Sequence, residues 1–182
     1  YVAPTSLSEA VTLLSRHPGE ARIIAGGQSL LPIMAFRLAS PSLLIDIGKI
    51  PDLRHIEVGS DGLHLGPLIR WCDIERSGDI AKYHPLLRDA VRYIAHYQVR
   101  NRGTVGGSLA HADPAAEFPC VAVTCGATIT LSGTKGSRKV GADQFIRGEL
   151  ETDLRTDEII TDIHFPVWPK ERRSAFVEFS KR

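Results

Sequence analysis

The sequence of 182 residues has few cysteines, no long apolar run and no excess of charge of either sign. Its three cysteines, Cys72, Cys120 and Cys125, are odd in number and form no Cys-x-x-Cys pair. An iron–sulfur cluster usually takes four thiolates, so the spacing argues against a cluster held by this chain alone and against a disulfide framework. We therefore expect reduced cysteines that pack as small core side chains in a cytoplasmic protein.

The remaining absences limit the partners. No apolar run approaches the roughly 20 residues that cross a bilayer, and residues 1–7 lack the basic and apolar blocks of a secretory signal. A net charge of +1 gives no electrostatic reason to expect nucleic acid or a membrane surface as partner. The chain starts at Tyr1 instead of Met and stops without a change of composition, so we expect it to be cut from a longer protein.

Apolar periodicity predicts a small first lobe over residues 1–50. Residues 6–16 have helical spacing, and Ser6 with Glu9 forms a capping box. Residues 22–25 and 42–47 are short apolar runs typical of buried parallel strands, and residues 30–38 suit a short helix or a packed loop. The order helix–strand–helix–strand indicates a βαβ-like unit.

The pattern changes after residue 50 and predicts a second, α+β lobe over residues 51–182 with a mostly antiparallel sheet. Alternation around residues 59–62 indicates a hairpin. Residues 71–75 and 85–94 favour helices, and residues 121–123 are ambiguous. Further strands are predicted by alternation at residues 128–132, 138–140, 159–165 and 175–179.

The first glycine segment, residues 25–29, directly follows a predicted strand and reads Ala-Gly-Gly-Gln-Ser. Glycine lets the backbone approach a ligand closely, and successive N–H groups in such a turn suit a phosphate. The alternative is a plain tight turn. Asp46 lies 20 residues after Gly26, as a nicotinamide-site ribose acid would, but no G-x-G-x-x-G is present, which favours a capping role for Asp46.

The second glycine segment, residues 104–108, is predicted to form a loop, within a stretch over residues 98–117 with almost no bulky apolar side chain. A stretch that gives up so much core-forming material usually lines a site, and its glycines and hydroxyls could serve a phosphate. The alternative is a solvated loop in which Arg100 and Arg102 pair with acids. His111 and Asp113 could ligate a metal, but no companion cluster is evident. Neither a phosphate-binding P-loop nor a Gly-x-Ser-x-Gly elbow occurs.

Together these motifs resemble the FAD-binding medium subunit of molybdenum hydroxylases, the xanthine dehydrogenase and carbon monoxide dehydrogenase family. The resemblance is specific, because Arg-Asn-Arg-Gly-Thr-x-Gly-Gly followed by Ala-Asp-Pro-Ala-Ala-Glu is hard to meet by chance. It rests on residues 4–10, 25–32, 100–108, 110–117 and 157–160.

The resemblance implies a two-lobe FAD-binding fold of the vanillyl-alcohol-oxidase (PCMH) type, with a small parallel βαβ lobe, a larger lobe with an antiparallel sheet, and a third, C-terminal domain absent from this chain. It implies non-covalent FAD, no catalytic residue and no metal ligand. Residues 24–29 and 104–108 would hold the pyrophosphate and ribityl chain, Glu117 a ribityl or ribose hydroxyl, and Ala110 and Ile160 the flavin ring. The complete expected set is Ile24, Ala25, Gly26, Gly27, Gln28, Ser29, Leu30, Thr104, Gly106, Gly107, Ser108, Ala110, His111, Glu117 and Ile160.

The family also implies partners. A molybdenum cofactor in a large subunit would oxidise the substrate, two [2Fe–2S] centres in a small subunit would carry the electrons to FAD, and NAD, a quinone or oxygen would accept them. Some relatives carry a Lys near the flavin about where Val177 stands, and Lys181 or Arg182 are possible substitutes. Two other functions stay open: a stand-alone flavin oxidase using His111 as base, and a flavin-free nucleotide-binding or assembly subunit.

Overall fold

A computed structural model describes residues 1–169 and 171–179. The segment predicted as a first lobe contains helix α1 (Leu7–Arg16), strand β1 (Ala21–Ile24), helix α2 (Leu30–Ala35) and strand β2 (Leu43–Asp46). The two strands pair in parallel, with Ile23 opposite Ile45. This confirms the helix–strand–helix–strand order predicted for the first fifty residues.

Helix α1 forms where its capping residues and apolar spacing require it. The Ser6 hydroxyl accepts a hydrogen bond from the Glu9 amide at 3.3 Å, and the Glu9 carboxylate accepts one from the Thr5 amide at 3.2 Å. This is the predicted capping box, with the carboxylate reaching one residue further back. The apolar face then packs against the strands through Ala10, Val11 and Leu14.

The second lobe is built on a five-stranded antiparallel sheet whose strand order is β3-β4-β9-β5-β6. Its strands are β3 (Ile56–Val58), β4 (Gly62–Leu65), β5 (Thr128–Gly133), β6 (Gly136–Gly141) and β9 (Ile159–Pro166), while β7 (Ile146–Gly148) and β8 (Glu151–Thr152) form a separate small hairpin. The predicted hairpin around residues 59–62 is present, and the strands predicted at residues 128–132 and 138–140 pair with each other in a second hairpin.

Helices cover one face of this sheet. They are α3 (Trp71–Arg76), α4 (Gly78–Tyr83), α5 (Pro85–Val91), α6 (Tyr97–Arg100), α7 (Val105–His111), α8 (Glu117–Thr124) and α9 (Ala142–Phe145). Strand alternation turns Leu63, Leu65, Ile163 and Phe165 toward the helices, where all four are fully buried. The ambiguous residues 121–123 belong to α8.

A second apolar cluster joins the two lobes. Side chains of α1, β1 and β2 pack together with Leu53, Leu68 and Ile159, which come from beyond residue 50. The first lobe therefore shares its core with the start of β9 instead of closing on itself.

Some sequence predictions were wrong. Residues 175–179 form no strand, because the alternation in that stretch finds no neighbouring strand to pair with among the described residues. Cys120 is exposed, although Cys72 and Cys125 are buried as expected and all three thiols are free. Val177 is largely exposed, and Lys181 and Arg182 lie outside the described residues. Within the described ranges, none of the helices has the length and hydropathy needed to span a bilayer.

Candidate functional site

A cleft of about 630 Å³ lies between the small parallel sheet and the helices and strands that follow residue 50. Its walls come from the end of β1, the start of α2, helix α7 and the residues that lead into β9. The cleft is lined by most of the residues expected to bind a cofactor. They are Ile24, Ala25, Gly26, Gly27, Gln28, Ser29, Leu30, Thr104, Gly106, Gly107, Ser108, Ala110, His111 and Ile160. Residues from distant parts of the chain therefore share one cavity.

The first glycine segment contributes a row of backbone donors to this cleft. Gly27 has a φ of +73°, a left-handed conformation that glycine adopts without strain. Among the described residues, no protein acceptor receives a hydrogen bond from the backbone amides of Gly26 to Leu30, although the side-chain amide of Gln28 donates to the Gly26 carbonyl. Unpaired amides in a partly exposed turn are available to an anionic ligand.

The first glycine segment touches the chain just before the second one. A Cβ on Gly26 would overlap the carbonyl oxygen of Arg102 and lie 3.0 Å from the Cα of Gly103. Only glycine at position 26 therefore allows the turn after β1 to lie against the chain that leads into α7. This contact sets the width of the cleft between the two segments.

The second glycine segment is the first turn of helix α7, and the prediction of a loop there was wrong. Thr104 caps the helix by accepting a hydrogen bond from the Gly107 amide at 3.2 Å. The amides of Val105 and Gly106 donate to the carbonyls of Ile69 and Pro67. These backbone donors are therefore used inside the protein, unlike those of the first segment.

The glycines of α7 have a different role: one allows close packing, and the other leaves space in the cleft. A Cβ on Gly106 would overlap Pro67, so this glycine lets α7 approach the chain before α3. A Cβ on Gly107 would meet only the hydroxyl oxygen of Thr104, at 2.9 Å, within 4 Å. Gly107 leaves that side of the cleft free for a ligand.

A third wall, which the sequence analysis missed apart from Ile160, comes from the residues between β8 and β9. They line the cleft with Thr152, Leu154, Arg155, Thr156, Glu158 and Ile159. Arg138 on β6 holds this segment: its Nε and Nη2 donate to the two carboxylate oxygens of Glu158, each at 2.7 Å, and its Nη1 pairs with Asp153. Hydrogen bonds from Arg138 keep the pKa values of Glu158 and Asp153 below their usual range.

Glu117 is the one member of the expected set that does not line the cleft, although its neighbours Asp113 and Ala116 do. Burial raises the pKa of Glu117, and the charges of Glu178 and Asp113 add to this effect. Apart from its own backbone amide, no described group donates a hydrogen bond to its carboxylate. The Glu117 carboxylate is thus partly buried beside the cleft and can accept further hydrogen bonds.

The other sequence alternatives have clear positions. Asp46 accepts a hydrogen bond from the Gly48 amide at 2.8 Å, which confirms its capping role. Arg100 pairs with Glu75 at 3.4 Å, as expected for a solvated stretch, while Arg102 supplies its carbonyl to the Gly26 contact. His111 and Asp113 both line the cleft, but within the described residues no third metal-ligating side chain joins them.

Comparison with known proteins gives consistent matches. Residues 1–168 match the family described as FAD binding domain in molybdopterin dehydrogenase. The nicotine 6-hydroxylase medium subunit of Paenarthrobacter nicotinovorans is 43% identical over 182 residues, which is 100% of this chain and 63% of that protein. The carbon monoxide dehydrogenase medium chain of Hydrogenophaga pseudoflava is 37% identical, with the same coverage of both chains.

Solved structures agree with these matches. Carbon monoxide dehydrogenase from Hydrogenophaga pseudoflava, in a form lacking the Mo-pyranopterin moiety of its molybdenum cofactor, superposes with a TM-score of 0.98 at 38% identity, over 100% of this chain and 63% of that one. Quinoline 2-oxidoreductase from Pseudomonas putida 86 superposes with a TM-score of 0.91 at 42% identity, over 93% and 59%. The chain spans about three fifths of the length of these relatives.

Proposed function

We propose, from the premise that this chain belongs to the family of FAD-binding domains of molybdopterin dehydrogenases, that it binds FAD non-covalently and serves as the electron-transfer subunit of a molybdenum hydroxylase. In this proposal a large subunit carries the molybdenum cofactor and a small subunit carries [2Fe–2S] centres. NAD, a quinone or oxygen would accept the electrons, and the complex would reside in the cytoplasm, in keeping with the free thiols.

Family membership and the superpositions confirm the predicted fold class, a PCMH-type FAD-binding fold with a small parallel sheet and a larger antiparallel one. The division into lobes at residue 50 stays a proposal. It is supported by the change from parallel to antiparallel pairing at that point, and the cleft then lies across the division.

The observation that carries the FAD proposal is the row of unpaired amides from Gly26 to Leu30, at a cleft whose opposite wall is Gly107. A dinucleotide pyrophosphate needs several donors and close backbone approach, and this row supplies both. When bound, FAD supplies the redox chemistry that links one-electron and two-electron carriers. Every other contribution is one of binding and orientation by this chain.

We assign the roles as follows. The amides of Gly26, Gly27, Gln28 and Ser29 hold the pyrophosphate, and the Ser108 hydroxyl adds a donor from the facing helix. Ala110 and Ile160 provide the apolar surface for the ring system; Ile160 is almost fully buried and Ala110 is exposed on the last turn of α7. The Arg138–Glu158 pair keeps the third wall in place behind them.

The proposal is tested by purifying the full-length protein with its natural partner subunits. We expect flavin absorbance that acid precipitation releases as FAD, together with molybdenum and iron in the same complex. A flavin-free complex would support the assembly-subunit alternative. Flavin without molybdenum, iron or partner subunits would support a stand-alone oxidase.

Glu117 provides a separate prediction about the site. If its carboxylate accepts a hydrogen bond from an FAD hydroxyl, glutamine replaces a charged hydrogen bond of about 1.5–3 kcal/mol with a neutral one of about 0.5–1.5 kcal/mol, so the Kd for FAD rises about 5- to 13-fold. Fluorescence titration of the FAD-free protein measures this. The matched control is Glu149→Gln, at an exposed residue that does not line the cleft. Equal FAD affinity in both variants would remove Glu117 from the site.

A further inference from the structure

A cluster of histidine and aspartate side chains lies on the other face of the sheet, outside the cleft. His64 on β4 and His164 on β9 are direct cross-strand partners, and their rings stack with centroids 4.5 Å apart. Asp61, in the turn between β3 and β4, lies beside both: its Oδ2 is 3.2 Å from His64 Nε2 and 3.8 Å from His164 Nε2. None of these residues lines the cleft.

The backbone explains why these side chains meet. Strand alternation sends the neighbours of both histidines, Leu63 and Phe165 among them, into the core, so the two imidazoles share the opposite face. A Cβ on Gly62 would overlap the carbonyl oxygen of Phe165. Glycine at this position lets the turn lie close against β9, and that closeness places Asp61 over the imidazoles.

A further pair of side chains orients His64. Its Nδ1 lies 2.9 Å from Asp162 Oδ2, and the other oxygen of Asp162 is 3.2 Å from His55 Nε2. In metal sites a ligating histidine commonly donates its second ring N–H to a carboxylate, which leaves the first nitrogen free to coordinate. Asp162 stands in that relation to His64, whose Nε2 then faces Asp61, and His55 contacts the other oxygen of Asp162.

From this arrangement we propose that Asp61, His64 and His164 form a binding site for a divalent transition-metal ion of the Zn²⁺ class, with one position open to water. Two imidazole nitrogens and one carboxylate oxygen are a ligand set that Zn²⁺ accepts. The ligand atoms lie within 4.8 Å of one another. Tetrahedral ligands on Zn²⁺ are about 3.3 Å apart, given bond lengths of about 2.0–2.1 Å.

The ligand atoms must move closer together to bind one ion, and the side chain of Asp61 is the most free to move. The side chain of Asp61 is 63% exposed, whereas those of His64 and His164 are 25% and 21% exposed. His164 Nε2 lies 3.1 Å from the backbone carbonyl oxygen of Asp61, so binding must displace its proton and replace that hydrogen bond, as metal binding to histidine generally does. The ion would clamp the β3–β4 hairpin to the central strand β9, whose first residues line the FAD cleft.

The test uses the full-length protein in its natural complex, freed of loosely bound metal by dialysis against a chelator. Equilibrium dialysis against Zn²⁺ measures stoichiometry and Kd, and zinc K-edge absorption identifies the ligands. We expect one equivalent of Zn²⁺ beyond any bound elsewhere, with two imidazoles in its coordination shell. His164→Gln removes that equivalent, and Asp162→Asn raises its Kd about 10- to 100-fold.

Two further variants keep the result decisive. Asp61→Asn changes an exposed turn residue, so it tests the site without changing the packing of the core. We expect it to weaken Zn²⁺ binding at least about tenfold. His96→Gln, at an exposed histidine outside the cluster, should bind Zn²⁺ like the wild type. Equal stoichiometry and Kd in the wild type, Asp61→Asn and His164→Gln, or no bound Zn²⁺ in the wild type, would overturn the proposal.

Discussion

Replacing Gly107 with valine should leave a folded protein that no longer retains FAD through purification. Gly107 lies in the first turn of α7, where the backbone is helical and a Cβ meets only the Thr104 hydroxyl oxygen within 4 Å. Valine and glycine differ by under about 0.5 kcal/mol in helix propensity. The new Cβ lies 2.9 Å from the Thr104 hydroxyl, and a displaced cap costs at most about 2 kcal/mol, so the domain stays folded. The new side chain instead occupies the space that the ligand needs.

The expected loss of affinity follows from the cost of placing two methyl groups where α7 and the bound FAD would be in contact. Overpacking costs about 1–3 kcal/mol, which corresponds to a rise in Kd of about 5- to 150-fold. Flavin absorbance per protein after purification and titration of the FAD-free protein both measure it. Gly107→Ala, which adds the Cβ alone, should give an intermediate Kd.

A matched control separates the ligand effect from a general effect of valine in a helix. Gly78 begins α4, has open space around its missing Cβ and does not line the cleft. Gly78→Val should therefore retain FAD like the wild type. Full FAD occupancy in Gly107→Val would show that the wall formed by α7 is not where the cofactor lies.

Replacing Arg138 with methionine should lower the free energy of unfolding by about 1–3 kcal/mol, because Glu158 and Asp153 lose their main hydrogen-bond donor and keep only the weaker pairing with Arg155 and the exposed Arg147. Glu158 is only 7% exposed and receives two hydrogen bonds from Arg138, while Asp153 receives another. Chemical denaturation of the FAD-free protein measures the change. Lys139→Met, at the exposed neighbour on β6, should have little effect.

A second variant shows whether the charge of Glu158 causes the loss of stability in Arg138→Met. Adding Glu158→Gln to Arg138→Met removes the buried negative charge that has lost its main partner, so part of the lost stability should return. If the double variant is no more stable than Arg138→Met, the role of Arg138 would be one of packing. FAD affinity should fall in Arg138→Met as well, since Glu158 and its neighbours form a wall of the cleft.

The same pair predicts a pH dependence. Hydrogen bonds from Arg138 hold the pKa values of Glu158 and Asp153 below their ordinary range. A carboxyl with a lowered pKa in the folded state stabilises the fold above the pKa of the unfolded chain, about 4, and loses that contribution as the pH falls through the folded value. The difference in unfolding free energy between wild type and Arg138→Met should therefore shrink below about pH 4.

Local signals in the sequence predicted the elements that local chemistry controls. The Ser6–Glu9 capping box and the apolar spacing after it were enough for α1, and alternation around Gly59–Gly62 was enough for the β3–β4 hairpin. The turn of residues 25–29 could be predicted because a glycine pair directly after a strand has few other uses. Alternation failed at residues 175–179, since a strand also needs a partner, and a partner is not a local property.

The second glycine segment shows how a local signal misleads. Two adjacent glycines argue against a helix, so residues 104–108 were expected to form a loop. The chain forms α7 because Thr104 caps it, Val105 and Leu109 enter the core, and Pro67 leaves room only for a glycine at position 106. Cap and core contacts together outweigh the propensity cost of the glycines.

By itself the sequence determined the family, the kind of ligand and the two glycine segments that line one cleft, because these depend on short motifs in fixed order. Only the tertiary structure decided which backbone donors are free for that ligand, those of Gly26 to Leu30, and which are used by the protein. It alone brought Gly26 against Arg102, Arg138 against Glu158, and His64 against His164. Each of those contacts joins residues that pairing and packing bring together across a sequence separation of 20 or more positions, and no local pattern encodes such a distance.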